Sequence, residues 1–225
     1  MDLIYILNAE ASKDSFVVKG ELHKYLVKVR RHTLGDRLDF RNPNEMKSLY
    51  NYEIVELDAK RVTLSLVNSK EKEVKAKKSL HLAWCVIDAK SIEKVLPSLS
   101  EIGVDKISFI SCDRSQKNFK LDFDRFYRIL EASMQQSGRS SFVELDKYKN
   151  IKVFLEKFPD TKVFDFCEKT LTQTSDFKRV LVGCEGGFSD NERELFQTQD
   201  TFRLDTPMVL RSESAVVAIA SKIIL

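Results

Sequence analysis

The sequence has few residues of the types that hold metals or disulfides. Four cysteines and three histidines occur among 225 residues, and no two cysteines form a Cys-x-x-Cys pair. This spacing argues against a structural zinc site, and we expect no bound metal. Each cysteine lies in or just after an apolar run and is interpreted as a small buried hydrophobic residue. The four are Cys85, Cys112, Cys167 and Cys184.

Long apolar runs are also absent. None approaches the roughly 20 residues needed to span a bilayer, and no basic region precedes the short apolar run at the start of the sequence. We therefore expect a cytoplasmic protein with no membrane partner. The sequence shows no internal repeat or low-complexity segment, and its 43% hydrophobic and 32% charged residues are typical of a folded globular protein.

The positive charge is concentrated in the first third of the sequence. The net charge is +3, and residues 1–79 hold 16 Lys and Arg against 12 Asp and Glu. Residues 19–41 are the most basic part. Such a stretch suits a polyanion such as RNA, although it can equally be an ordinary solvated surface. The candidate RNA contacts here are His23, Lys24, Lys28, Arg30 and Arg31.

Two domains are predicted from a change in hydrophobic pattern. Residues 1–69 contain short β-like runs separated by turns, which indicates a small barrel or sandwich. In residues 70–78 seven of nine side chains are charged, and we place the domain boundary there. Residues 79–225 alternate apolar runs with amphipathic helices, which predicts an α/β domain. Strands are predicted at 3–7, 16–18, 37–40, 50–57, 61–67, 80–87, 104–110, 162–167 and 179–183, and helices around 92–102, 126–133 and 151–158.

A glycine-rich loop is predicted directly after the strand at 179–183. Three of the seven glycines in the sequence, Gly183, Gly186 and Gly187, lie within five positions. Ser189 and Glu192 then have the spacing of a helix capping box. A loop at the carboxyl end of a parallel strand is a common cofactor site, although a tight turn explains the glycines equally well. The loop has neither the dinucleotide-binding nor the triphosphate-binding pattern.

Two further segments contain candidate functional residues. Arg211 and Glu213 stand just before an apolar helix that ends at Leu225; as a pair they are either a helix cap or surface ion pair, or catalytic residues. The helix itself must be buried in its own domain or against a partner subunit. Residues 135–139 end an earlier helix at a glycine, and Gln136 and Arg139 there are either surface residues or RNA ligands.

In this order, these segments resemble the bacterial ribosomal RNA small-subunit methyltransferase E family of the SPOUT superfamily. The resemblance covers almost the whole chain. Cys184 stands where the family usually has proline, and Asp205 where glycine is common; the loss of a locked φ at Cys184 is expected to affect cofactor affinity rather than reaction type. The matching segments are His23–Arg30 with Gly35-Asp36, Lys90, Glu101–Val104, Arg114-Ser115, Gln136–Arg139, Gly183–Ser189 and Leu210–Ala215.

The resemblance implies both a fold and a reaction. The fold is α/β, with an N-terminal PUA-like β-barrel (1–69) that binds RNA and a C-terminal SPOUT α/β domain (79–225) with a trefoil knot. The reaction is S-adenosylmethionine-dependent methylation of N3 of a uridine in the 16S ribosomal RNA of the small subunit, by a homodimer. Arg211 and Glu213 are the implied catalytic residues. The implied cofactor-binding residues are Phe166, Val182, Gly183, Glu185, Gly186, Gly187, Leu204, Leu210, Arg211, Ser212 and Ala215, and Arg114, Gln136 and Arg139 join the RNA contacts.

Three alternatives remain open at this stage. The first is a SPOUT enzyme that methylates a ribose 2′-hydroxyl or a transfer RNA. The second is an RNA-binding protein without catalytic activity. The third, a Rossmann-type methyltransferase or dehydrogenase, lacks its glycine pattern in the first strand-to-helix turn.

Overall fold

The computed structural model describes residues 3–115, 120–172 and 177–225. The chain forms two compact units, which are described here separately. One comprises Met1–Val74 with Met134–Ser141, and the other Lys75–Ser133 with Phe142–Leu225. The sequence placed the boundary at residues 70–78 and did not assign 134–141 to the first unit. The last strand of the first unit runs to Glu71, because its backbone is paired even where its side chains are charged.

The first unit contains a five-stranded sheet in the order β1-β3-β4-β5-β2. β1 pairs with β3 in parallel, and the other neighbours are antiparallel. Phe16, Phe40 and Tyr52 meet edge to face in its core, with ring centroids 4.9–5.5 Å apart. The elements are β1 (Ile6–Leu7), β2 (Ser15–Lys19), α1 (Gly20–Lys24), a π-helical turn (Tyr25–Val29), β3 (Arg37–Asn42), β4 (Glu45–Leu57) and β5 (Arg61–Glu71).

The second unit contains a six-stranded parallel sheet in the order β11-β9-β10-β6-β7-β8. Its inner strands are nearly all apolar, as expected for strands covered on both faces. The strands are β6 (His81–Cys85), β7 (Lys106–Ile110), β8 (Glu144–Tyr148), β9 (Lys162–Phe164), β10 (Arg179–Val182) and β11 (Thr201–Phe202). The helices are α2 (Ala89–Ile102), α3 (Phe123–Ser137), α4 (Ile151–Lys157), α5 (Asp190–Glu194) and α6 (Ser212–Ile224). The last turn of α3, from Met134, is assigned to the first unit.

Capping side chains and a glycine mark the ends of two helices in the structure. Asp88 and Asn150 cap α2 and α4 by accepting from Ser91 N and Val153 N. α2 ends at Gly103 with φ +111°, a left-handed conformation that favours glycine. The apolar helix α6 buries Val216 and Ile223 in its own unit. No helix within the described parts of the chain is long and apolar enough to cross a membrane.

Candidate cofactor site

A cavity of about 340 Å³ lies at the carboxyl ends of three neighbouring strands. Phe164, Val182 and Phe202 are the last residues of β9, β10 and β11, and all three line it. Ten of the eleven predicted cofactor residues line this cavity; the exception is Gly186. The sequence missed other lining residues, including Asp165, Phe188, Arg203, Met208 and Val209, and it named Cys184 only as a departure from the family pattern. These missed residues have ordinary polar or apolar side chains, and only the folded chain brings them together.

The glycine-rich loop needs glycine at two positions for different reasons. Gly187 has φ +65°, which is in the left-handed region. At Gly183 a Cβ would lie 3.3 Å from the ring of Phe188 and 3.4 Å from Gly187 Cα. Both observations point to a tightly folded loop whose backbone forms part of the cavity wall.

The predicted capping box after this loop is confirmed. The Glu192 amide donates to Ser189 Oγ at 3.2 Å, and the Ser189 amide donates to Glu192 Oε2 at 2.9 Å. The other Glu192 oxygen, Oε1, accepts from the Asp113 amide at 2.9 Å. Burial raises the pKa of Glu192 despite these hydrogen bonds. The cap therefore also attaches α5 to the segment that follows β7.

Arg114 and Gly186 interact with each other. Arg114 Nη1 donates to the Gly186 carbonyl oxygen at 2.7 Å. A Cβ on Gly186 would lie 3.2 Å from Arg114 Cβ. Arg114, predicted as an RNA contact, therefore supports the glycine-rich loop from the side of β7.

Ser212 connects the start of α6 to the glycine-rich loop. Its hydroxyl donates to the Gly183 carbonyl oxygen at 2.5 Å and accepts from Trp84 Nε1 at 2.8 Å. Ser212 and Trp84 are both buried. The hydroxyl thus satisfies two buried polar groups that have little access to water.

The two side chains of the predicted catalytic pair differ in how far they are exposed to solvent. Arg211 lines the cavity with 83% of its side chain exposed, and its Nη1 lies 4.0 Å from Glu213 Oε1. Glu213 is not among the described residues that line the cavity. Its Oε2 atom is buried and has no hydrogen-bond partner among the described residues. An exposed cation beside a largely buried carboxylate suits charge stabilisation at the cavity.

The predicted RNA contacts differ in how much of each side chain is exposed. Within the first unit His23 is 4% exposed and its Nε2 lies 3.0 Å from the Asp58 carbonyl oxygen. Arg139 is 6% exposed, and its Nε donates to the Ser141 carbonyl oxygen at 2.7 Å. Such buried groups offer little surface to a phosphate and serve the fold. Lys24, Lys28, Arg31, Arg114 and Gln136 are exposed and Arg30 is half-buried, so RNA binding stays a prediction chiefly for these six.

The described residues contain no cluster of His, Cys, Asp or Glu suited to a metal ion. The site is instead a parallel-sheet cavity with a glycine-rich loop, an apolar wall and one exposed arginine. The RNA methyltransferase domain family matches residues 73–224. This match covers more than half of the chain and defines its class as an RNA methyltransferase.

Full-length relatives narrow the class to one family. The chain is 40% identical over 221 residues to the ribosomal RNA small subunit methyltransferase E of Helicobacter pylori, covering 96% of this chain and 97% of the relative. It is 26% identical over 226 residues to a ribosomal RNA small subunit methyltransferase E of Borreliella burgdorferi, covering 93% and 90%. The chain belongs to the ribosomal RNA small subunit methyltransferase E family.

Solved structures of other methyltransferases have folds similar to that of this chain. A Legionella pneumophila methyltransferase with bound SAM matches with a TM-score of 0.81 at 20% identity, covering 99% of this chain and 97% of the other. The ribosomal RNA small subunit methyltransferase E of Neisseria gonorrhoeae, bound to S-adenosyl methionine, matches with a TM-score of 0.77 at 16% identity, covering 98% and 96%. At such identities the likeness concerns the fold alone.

Proposed function

We propose that this protein transfers the methyl group of S-adenosylmethionine to N3 of a uridine in the 16S ribosomal RNA of the small subunit. The observation that carries the proposal is the cavity at the ends of β9, β10 and β11, together with family membership. Its size lies within the range of small-molecule sites, and its wall is mainly apolar with a few polar groups. A ribosomal substrate would place the enzyme in the cytoplasm.

The residues present fit this cofactor. Backbone groups of Gly183–Gly187 and of the segment around Leu204–Leu210 are suited to the polar parts of the adenine and methionine moieties. Apolar lining residues such as Phe166 and Leu210 are suited to the adenine faces. When bound, the cofactor supplies an electrophilic methyl group. The chain has to position the uridine and manage the proton at N3.

Arg211 and Glu213 are suited to the second task. N3 of a neutral uridine carries a proton, so negative charge develops on the base as that proton leaves. The exposed guanidinium of Arg211 can stabilise that charge at the cavity mouth. Glu213, with one buried oxygen that lacks a hydrogen-bond partner in the described chain, can orient Arg211 or accept a proton.

The substrate requirement follows from the position of N3. This atom lies on the Watson–Crick edge, so the uridine must be unpaired when it reacts. The exposed cations Lys24, Lys28 and Arg31 of the first unit would bind phosphates of the surrounding RNA.

Three finer features belong to the same proposal. The first unit would be a PUA-like barrel, and the segment from β11 to α6 would form the trefoil knot. A second copy of the chain would cover the apolar side chains of Phe166, Met208 and Val209, which are 74%, 64% and 77% exposed. A stable monomer at micromolar concentration in light scattering would contradict the homodimer.

The decisive experiment uses methyl-labelled S-adenosylmethionine and small ribosomal subunits that lack the modification. After digestion to nucleosides, labelled 3-methyluridine is expected. Label in a ribose 2′-O-methyl nucleoside, or transfer to transfer RNA when it is offered in place of the subunits, would replace the proposed target. No transfer despite RNA binding would favour a non-catalytic RNA-binding protein.

The Arg211→Ala variant tests the assigned residue in the same assay. We expect kcat to fall by about 100-fold, the magnitude of a lost charge-stabilising group. The matched control is Lys152→Ala on α4, which removes an exposed cation that does not line the cavity.

A further inference from the structure

Three of the four cysteines meet beside the cofactor cavity. Cys85 ends β6, Cys112 follows β7 and Cys184 follows β10, and these three strands are neighbours in the sheet. The sulfur atoms of Cys112 and Cys184 are 3.5 Å apart, and Cys85 is close enough to Cys112 to influence its pKa. All three are buried free thiols. Cys167 is half-buried and lies outside this group, which we call the thiol cluster.

Cys184 connects the thiol cluster to the cavity. It lines the cavity wall, so a small solute that enters the cavity can reach this residue. Its carbonyl oxygen accepts from the Gly187 amide at 2.9 Å and so closes the turn of the glycine-rich loop. Any displacement of Cys184 therefore displaces this turn.

Cys112 has the surroundings of a reactive thiol. The neighbouring Cys184 thiol, and then the Cys85 thiol and the Ser115 hydroxyl, lower the pKa of Cys112. The Ser115 Oγ lies 3.0 Å from the Cys112 sulfur. Burial raises the pKa of Cys85. The thiolate is the nucleophile, and the Cys112 sulfur lies 3.5 Å from that of Cys184 on the cavity wall, so Cys112 is the first of the three expected to react with peroxide that enters the cavity.

We propose that Cys112 and Cys184 are a peroxide-sensitive pair whose reversible disulfide weakens cofactor binding. The Cys112 thiolate attacks the peroxide, an S–O bond forms, the O–O bond breaks and water leaves after protonation. The Cys184 sulfur then attacks the Cys112 sulfur; the S–S bond forms, the S–O bond breaks and a second water leaves with the thiol proton. Two thiols and one hydrogen peroxide thus give one disulfide and two waters.

The disulfide would change the shape of the cavity wall. An S–S bond is about 2.0 Å long, so the two sulfurs must approach each other from 3.5 Å. The loop that carries Cys184 is held at Gly183 by Ser212 and at Gly186 by Arg114. The shift therefore falls on the backbone between these two attachments, which forms part of the cavity wall. The effect on cofactor binding rests on the proposed function, whereas the disulfide itself does not.

The test begins with fully reduced protein treated with hydrogen peroxide. Peptide mapping is expected to show a Cys112–Cys184 linkage and the loss of two free thiols, both reversed by dithiothreitol. Calorimetry is expected to show S-adenosylmethionine binding weakened on the order of tenfold after oxidation. Pre-bound S-adenosylmethionine is expected to slow the linkage, because it fills the cavity beside Cys184. A Cys85–Cys112 linkage, or oxidation confined to Cys167, would overturn the proposal.

Cysteine-to-serine variants distinguish oxidation of the Cys112–Cys184 pair from general oxidative damage. Cys112→Ser and Cys184→Ser, each compared with its own reduced form, are expected to keep their cofactor affinity in peroxide. The matched control Cys167→Ser is expected to remain as sensitive as the natural chain. Equal loss in all three variants contradicts the pair. If the reduced natural chain binds no S-adenosylmethionine, the proposed function fails, while peptide mapping still decides whether the disulfide forms.

Discussion

Arg193 holds Asp165 through two nitrogens, with Nε 2.8 Å from Oδ2 and Nη2 3.4 Å from Oδ1. Asp165 directly follows β9 and lines the cavity, and Arg193 lies on α5 beyond the glycine-rich loop. The Asp165 side chain is only 8% exposed. The ion pair thus ties together two of the segments that form the cavity.

Loss of this ion pair is expected to weaken cofactor binding. Asp165→Asn should raise the Kd for S-adenosylmethionine by about 5- to 10-fold, because the ion pair is replaced by a weaker hydrogen bond from Arg193 to a neutral amide oxygen. The matched control is Asp190→Asn, since Asp190 also lies near Arg193, at 3.5 Å, but is 94% exposed. Calorimetry that gives the same Kd for both variants would contradict a special role for Asp165.

Ser212→Ala should destabilise the second unit. The change leaves Trp84 Nε1 and the Gly183 carbonyl oxygen without their buried partner, at a cost of about 1–3 kcal/mol in the free energy of unfolding. Urea unfolding followed by Trp84 fluorescence measures it, since this is the only tryptophan in the sequence. Ser214→Ala, on the exposed side of the same helix, is expected to change the free energy of unfolding by less than about 0.5 kcal/mol.

Gly187 is expected to tolerate asparagine better than alanine. A Cβ there has space, with its nearest neighbour Arg193 Nη2 at 4.0 Å, so the cost arises from φ +65° alone. Gly187→Ala should cost about 1–2 kcal/mol in the free energy of unfolding, and Gly187→Asn less, because asparagine enters the left-handed region more readily. Equal costs in thermal unfolding would show that the loop changes its conformation in both variants.

His81 should make folding sensitive to mild acid. Its Nδ1 accepts from Arg179 Nε at 2.9 Å, and its Nε2 lies 2.7 Å from Ser108 Oγ, which in turn donates to Asp146. Burial first, and then the nearby charges of Arg179 and Lys106, lower the pKa of His81 from 6.5 to about 4.

The sign of the pH effect follows from these two pKa values. Between pH 6.5 and pH 4 the unfolded chain binds a proton that the folded chain does not, so stability falls as the pH falls through this window. The contribution of His81 to that loss is up to about 3 kcal/mol. Urea titrations from pH 7.5 to pH 4.5 measure it, and His81→Gln should flatten the dependence because glutamine does not titrate. An unchanged slope in the variant would assign the effect to other groups.

Much of the second unit could be predicted from local sequence. Strands β6, β7, β9 and β10 and helices α2, α3 and α4 correspond to predicted runs, because apolar period and capping residues are local signals. β8 and β11 were missed. β8 reads Glu-Leu-Asp-Lys-Tyr, a polar edge strand, and β11 is two residues long. Pairing with β7 and β9 defines these two strands, and no local pattern predicts such pairing.

The residues around the cavity also divide into those that local sequence predicts and those that only the folded chain brings together. The glycines, the capping box and Arg211 could be found in sequence because their backbone conformation or their motif is local. Asp165 and Cys112 could not, because their contacts are with Arg193 and Cys184, which are 28 and 72 positions away. Arg114 was found by its motif, but its contact with Gly186, 72 positions away, was not. The sequence by itself determined most of the elements and the family resemblance. The parallel sheet decided which side chains meet, since it gathers the carboxyl ends of strands that are distant along the chain at one edge.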